Sequence, residues 1–303
     1  MVYQEFSGEI FKKRGCFAEA SQFTMILDNP KDLSEKFYNY FLKNRRNRAL
    51  ILAATDVDSV CAAKILLHLF HCDHIQYSLV ICTNFADCVN AVESVRDSVR
   101  SIVMINCGAS EDVFGRLNAN DKTRYFILDS RLPVHVRNLY SGKHVCVLRK
   151  VDASEIPTYD SVFWDEDEHS TDKVDSSMRD DQDDTFSQHS EMSQSSQVQD
   201  SREERERKRL LRKKKAEWNI NRQIIENNYY KNVFYEDSSA MKMFELAHLV
   251  SKDDHNLFFW AVIGLCDMFV QRKISSSEFV KVRFKETWLL EITSNYCCAC
   301  WSG

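Results

Sequence analysis

The sequence predicts an α/β fold in which a parallel sheet is flanked by helices. Short apolar runs of strand length recur between residues 49 and 148, and stretches with apolar residues at helical spacing alternate with them. The runs are continuous, as in strands covered on both faces. The chain holds only 7 Gly and 3 Pro in 303 residues, where average usage would give about 21 and about 15. Collagenous, linker-like and Gly-rich phosphate-loop proteins are therefore disfavoured. With 44% hydrophobic and 12% aromatic residues the chain can bury a core in one large or two ordinary domains, which excludes a fully disordered protein.

Residues 31–45 carry apolar side chains at helical spacing, and the pattern changes at Ala49, where ALILAA reads as a first strand. Ser59 to Phe70 is then helical, with Val60, Ala63, Ile65 and Leu66 on or near one face. Tyr77 to Cys82 is a second strand, followed by a helical stretch through Val95. Ile102 to Ile105 is a third strand, Tyr125 to Leu128 a fourth and Val145 to Leu148 a fifth. Beyond residue 202 the pattern is helical at 203–228, Ala240 to Ser251 and Asn256 to Lys273.

Parallel sheets place ligands at the carboxyl ends of their strands. Here the first strand ends in Thr55-Asp56-Val57-Asp58, the third in Asn106-Cys107-Gly108 and the fourth in Asp129-Ser130-Arg131. Two carboxylates spaced i, i+2 at a strand end, joined by another from a neighbouring strand, are what a hard or borderline cation needs. The same two aspartates would equally cap the helix that begins near Ser59. Pattern alone leaves both readings open. The fingerprints G-x-G-x-x-G and G-x-x-x-x-G-K-[ST] are absent, so the familiar nucleotide-binding sheets are not expected.

The net charge of −5 hides a partition. Residues 151–200 carry fifteen Asp/Glu against two Lys/Arg, and residues 201–215 carry nine basic against three acidic residues. The acidic segment is Ser/Gln-rich and nearly without aliphatics, so it cannot bury enough apolar surface to offset the entropy of ordering and reads as a disordered insertion. In the basic run, Arg205, Arg207, Lys208, Arg209, Arg212, Lys213, Lys214 and Lys215 read as a nuclear import signal or nucleic-acid patch, or as the solvated start of a helix. The N-terminus lacks an apolar signal region and no stretch is long enough to span a bilayer, so a soluble intracellular protein without a membrane partner is expected. Eleven cysteines lie largely in apolar segments, which argues against a disulfide framework. Two groupings resemble metal ligands: His68, His71, Cys72 and His74, and Cys297, Cys298 and Cys300. Neither has the second paired set that structural zinc usually needs, and they read as a helix end and a frayed tail.

Several segments together resemble the eukaryotic cell division control protein 45 family. They are LAATDVDSVCAAKIL from Leu52 to Leu66, INCGA from Ile105, LDSRLPVHVRNLY from Leu128 to Tyr140, SSAMKMFELA from Ser238 and FWAVIGLCD from Phe259 to Asp267. The resemblance runs from about Lys31 to about Ile274 and includes the acidic insertion. It implies a RecJ-like DHH phosphoesterase fold, whose metal site combines a D-x-D motif, an acid after a later strand, the DHH triplet and a final helical aspartate. By position, Asp56 and Asp58 match the D-x-D motif and Asp267 the final aspartate. Asn106 stands where an active phosphoesterase has an acid, and Asp129 alone survives of the triplet, with Ser130 and Arg131 in place of its histidines. Losing two imidazoles and gaining a fixed cation should weaken metal binding greatly and remove the activated water that hydrolysis needs.

The resemblance therefore implies a pseudoenzyme without a cofactor: a nuclear factor of replication initiation and elongation, joined to the minichromosome maintenance ring, the GINS complex and replication initiation factors, on single-stranded DNA and on chromatin at origins. Arg131, Arg137, Lys143, Arg149 and Lys150 are candidate DNA contacts near the strand-end edge, and also ordinary surface charges. The competing expectations are a residual metal-dependent phosphoesterase using Asp56, Asp58, Asp129 and Asp267, an adaptor acting through residues 151–215, and a truncated non-functional form. The expected organisation is an unassigned extension at 1–30, an α/β domain at 31–155, the insertion at 156–201, a helical part at 202–274 and a foreign tail at 275–303. The family's chains continue beyond this point, so a truncated or alternative product is expected.

Overall fold

A computed structural model of the chain describes residues 24–27, 29–96, 98–117, 122–151, 155–164 and 194–280, with backbone alone at 194–204. Six strands form one parallel sheet: β1 (Met25–Ile26), β2 (Ala49–Ala54), β3 (Tyr77–Cys82), β4 (Ser101–Ile105), β5 (Arg124–Leu128) and β7 (Val145–Val147), in the order β1-β7-β5-β4-β2-β3. β6 (Arg131–Leu132) pairs antiparallel with β8 (Phe234–Tyr235). The helices are α1 (Pro30–Asp32), which runs through a π-helical stretch Leu33–Tyr38 into α2 (Asn39–Lys43), then α3 (Val57–Cys72), α4 (Phe85–Ser94), α5 (Val113–Arg116), α6 (Val136–Leu139), α7 (Tyr159–Val162), α8 (Gln194–Tyr230), α9 (Ser239–Leu249) and α10 (His255–Val270).

The chain divides into two compact units, one of residues 1–156 with 232–303 and one of 157–231. In the first, the central strands β2, β4 and β5 are buried along nearly their whole length. Ala49, Ile51, Ala53, Val103, Ile105, Phe126 and Leu128 face a single core with α3, α9, α10 and the segment Leu33–Phe41. Their alternates Leu50, Leu52, Ile102, Met104, Tyr125 and Ile127 are equally buried on the opposite face. Burial on both faces explains why these strands read as continuous apolar runs. Phe37, Phe41 and Phe126 meet at ring separations of 5.2–5.3 Å and close the core above β5.

In the second unit α8 carries its basic run exposed, and Trp218 on α8 donates to the Asp160 carbonyl at 2.8 Å and packs edge-on to Trp164. The segment between 165 and 193, in the expected acidic insertion, lies outside the described residues, as do Cys297, Cys298 and Cys300. Within the expected insertion at 156–201, Tyr159–Val162 is helical and α8 begins at Gln194. The extension set aside at 1–30 contributes β1, and Leu27 just after it is fully buried and donates its N–H to the Val147 carbonyl at 2.8 Å. A two-residue strand carries no periodicity to read.

Candidate functional site at the carboxyl edge of the sheet

All strands of the sheet run the same way, so the residues following β2, β4 and β5 meet at one edge. Asp56 leaves β2 in an extended conformation and caps α3, accepting from the Ser59 N–H at 3.0 Å and the Ser59 hydroxyl at 2.6 Å. Asp58, inside the first turn of α3, is 1% exposed. Its carboxylate accepts from the backbone N–H groups of Ser239 at 2.9 Å and Ala240 at 3.0 Å, from the Asn106 amide at 2.9 Å and from the Ser238 hydroxyl. These four donors match the roughly four lone-pair sites that a carboxylate offers. They also satisfy free N–H groups at the start of α9 and place negative charge at the positive end of that helix.

Asn106 follows β4 in the left-handed conformation, φ 54°, which asparagine tolerates better than most residues. Its Nδ2 donates to Asp58 at 2.9 Å and to Asp56 at 3.4 Å, and its Oδ1 accepts from the Ser130 N–H at 2.8 Å and the Ser239 hydroxyl at 2.7 Å. The backbone N–H of Ser130 can only donate, which fixes the amide orientation. Gly264 on α10 explains how the helices come so close. A Cβ there would lie 2.7 Å from Ala240 Cβ and 2.9 Å from Asp58 Oδ1.

Asp129 is buried and binds the neighbouring loop. Its oxygens accept from Gly108 N at 3.3 Å, Ala109 N at 3.0 Å and Arg131 N at 3.0 Å. Burial raises its pKa above the ordinary carboxylate value, against the lowering effect of these N–H groups and of Arg149. Asp267 stands apart on α10, its two oxygens taken by Gln271 Nε2 at 2.7 and 2.8 Å. It is still near enough to Cys61 to act on that thiol, which burial first, and then Asp58, Asp267 and Asp56, push up to about 11.

The structure thus brings Asp56, Asp58 and Asn106 together, and Asp129 and Asp267 are each committed elsewhere. Among the described residues no three His, Cys, Asp or Glu side chains converge so as to hold a metal ion. The donor chemistry agrees, since Asp58 has no free lone pair and an amide NH2, which cannot ligate, is aimed between the two carboxylates. The residues present do not fit the metal centre that the family resemblance implies for active relatives.

The basic candidates divide. Arg131 and Lys150 are exposed immediately beyond β5 and β7, at the carboxyl edge. Arg149 is 3% exposed, binds the Asp237 carbonyl and reaches Glu236 at 3.4 Å, so it is a buried brace rather than an available contact. Arg137 is exposed on α6 but paired with Asp112 at 3.3 Å. Lys143 precedes β7, which puts it at the amino end of the sheet. Sequence reasoning missed Ser238, Ser239 and Gly264. The two serines are visible as a helix-start signal, but nothing local shows that a carboxylate 180 positions away in sequence completes the cap.

The family model CDC45 matches residues 49–286, well over half of the sequence. The chain belongs to the CDC45 family. Cell division control protein 45 homolog of Homo sapiens is 33% identical over 250 residues, which cover 82% of this chain and 42% of that protein. The Mus musculus homolog is 34% identical over the same length with the same coverage. The chain therefore spans less than half the length of these CDC45 relatives. The crystal structure of CDC45 from Entamoeba histolytica superposes with a TM-score of 0.56 at 16% identity, covering 88% of this chain and 39% of that one, which shows a shared fold. The family match extends to residue 286, past Ile274 where the resemblance read from the sequence ends, and begins at residue 49 rather than near Lys31. No described helix is long and apolar enough to cross a membrane.

Proposed function

We propose that the chain is a non-enzymatic DNA replication factor acting in initiation and elongation, within a replicative helicase assembly that includes the minichromosome maintenance ring and the GINS complex. Membership of the CDC45 family supports the replication role. The observation that carries the non-enzymatic reading is the saturated carboxylate of Asp58: the residue that would bind metal in a DHH phosphoesterase here caps α9, and Asn106 donates to it. Without a metal to generate a nucleophile and stabilise the leaving oxygen, phosphodiester hydrolysis loses its main acceleration.

In this reading the carboxyl edge has kept a use for single-stranded DNA, with Arg131 and Lys150 as phosphate contacts. The basic residues Arg205 to Lys215 on α8 serve nuclear import and chromatin-associated work at origins. Pull-down of the minichromosome maintenance ring and GINS with the intact chain tests the assembly, and deletion of residues 151–215 separates it from an adaptor role. Capture by both forms supports the proposal. Loss of capture on deletion assigns binding to that segment, and capture by neither contradicts an assembly role.

A further inference from the structure

His68 and Cys72 lie one turn apart at the end of α3, outside the carboxyl-edge site, and the His68 Nε2 to Cys72 Sγ distance is 3.5 Å. We propose that this pair is a surface site for a borderline-soft divalent transition metal, with zinc the natural occupant. With Zn–S of about 2.3 Å and Zn–N of about 2.0–2.1 Å at a tetrahedral angle, the two donor atoms of one ion stand about 3.5 Å apart. The helix has therefore already set the bite of the chelate, since i and i+4 side chains lie on one face.

Two further features favour a cation here. The pair occupies the last turns of α3, the end at which the helix dipole places partial negative charge. Cys72 is exposed and His68 half-buried, so an ion can enter without opening the fold. Among the described residues no third His, Cys, Asp or Glu completes the site, which leaves the remaining positions to water or to an incoming ligand. Thiolate and imidazole together select zinc or cobalt and reject magnesium and calcium, which need oxygen donors. On binding, the Cys72 S–H bond is broken, a metal–sulfur bond forms, and one proton passes to the buffer.

The test is a cobalt(II) titration of the full chain in which Cys297, Cys298 and Cys300 are replaced by serine in every arm, since those thiols could themselves take metal. The expected result is one equivalent of cobalt with a thiolate charge-transfer band, displaced by zinc and untouched by magnesium. Cys72→Ser should abolish the band. His68→Gln should weaken binding about tenfold or more, as even outer-shell changes at metal sites cost about that much. Both substitutions are on the helix surface, and an unchanged far-ultraviolet circular dichroism spectrum confirms that the variants fold. A band that survives Cys72→Ser, an affinity unchanged in His68→Gln, or absence of saturable binding by the parent would overturn the proposal and leave the pair a thiol–imidazole hydrogen bond.

Discussion

At the residue scale the chemistry of the edge turns on the side-chain amide of Asn106. Asn106 supplies the N–H groups that hold Asp58 and Asp56 side by side, and a carboxylate in its place would supply repulsion instead. Asn106→Asp is expected to cost about 2–4 kcal/mol at neutral pH, from broken hydrogen bonds to charged groups and a third negative charge. The loss would appear as a lower denaturant midpoint with an unchanged slope, and it should shrink as pH falls and one carboxyl takes up a proton. Asp129 titrates with a defined sign. Its folded pKa is raised by burial, so the stabilisation it allows is complete below the unfolded value and declines as pH rises through the folded one. Against the wild type, Asp129→Asn should lack that decline above the ordinary carboxylate range. Equal pH slopes for the two proteins would mean that the side chain is ionised as easily folded as unfolded.

At the element scale the site depends on three helices meeting around Asp58. α9 begins at the carboxylate of Asp58 on α3, and α10 passes close enough that residue 264 must lack a Cβ. Gly264→Ala forces the new methyl against Ala240 and Asp58 and should destabilise the protein by about 1–3 kcal/mol, measured by thermal or denaturant unfolding. A neutral effect would mean that α10 moves away without cost. The central strands were legible in the sequence because they are buried on both faces and leave long apolar runs. The polar strand ends were legible too, since topology brings them to one edge. Sequence offered Asp58 as a ligand or as a cap of the helix beginning near Ser59, and it caps α9 instead, through the N–H groups of Ser239 and Ala240 far along the chain. It misplaced Lys143 and Arg149 for a related reason: charge is visible in sequence, while strand direction and burial are set by the fold.

At the scale of the whole molecule, a CDC45-family α/β unit of residues 1–156 with 232–303 carries the carboxyl-edge site, and a second unit carries the basic helix. If the edge guides single-stranded DNA, replacing Arg131 and Lys150 together by glutamate should weaken binding and flatten its salt dependence, by about 0.7 in the log–log slope for each phosphate that is no longer neutralised. Lys143→Glu, at the opposite edge, should leave binding unchanged. Equal weakening by both changes would show general attraction to a basic surface. A manganese-dependent nuclease assay of the intact chain on single-stranded DNA decides whether Asp58 is a helix cap, as its four donors indicate, or a metal ligand. The expected result is no hydrolysis above the metal-only background. Turnover that rises with manganese and disappears in a folded Asp58→Asn variant would instead make Asp58 a metal ligand.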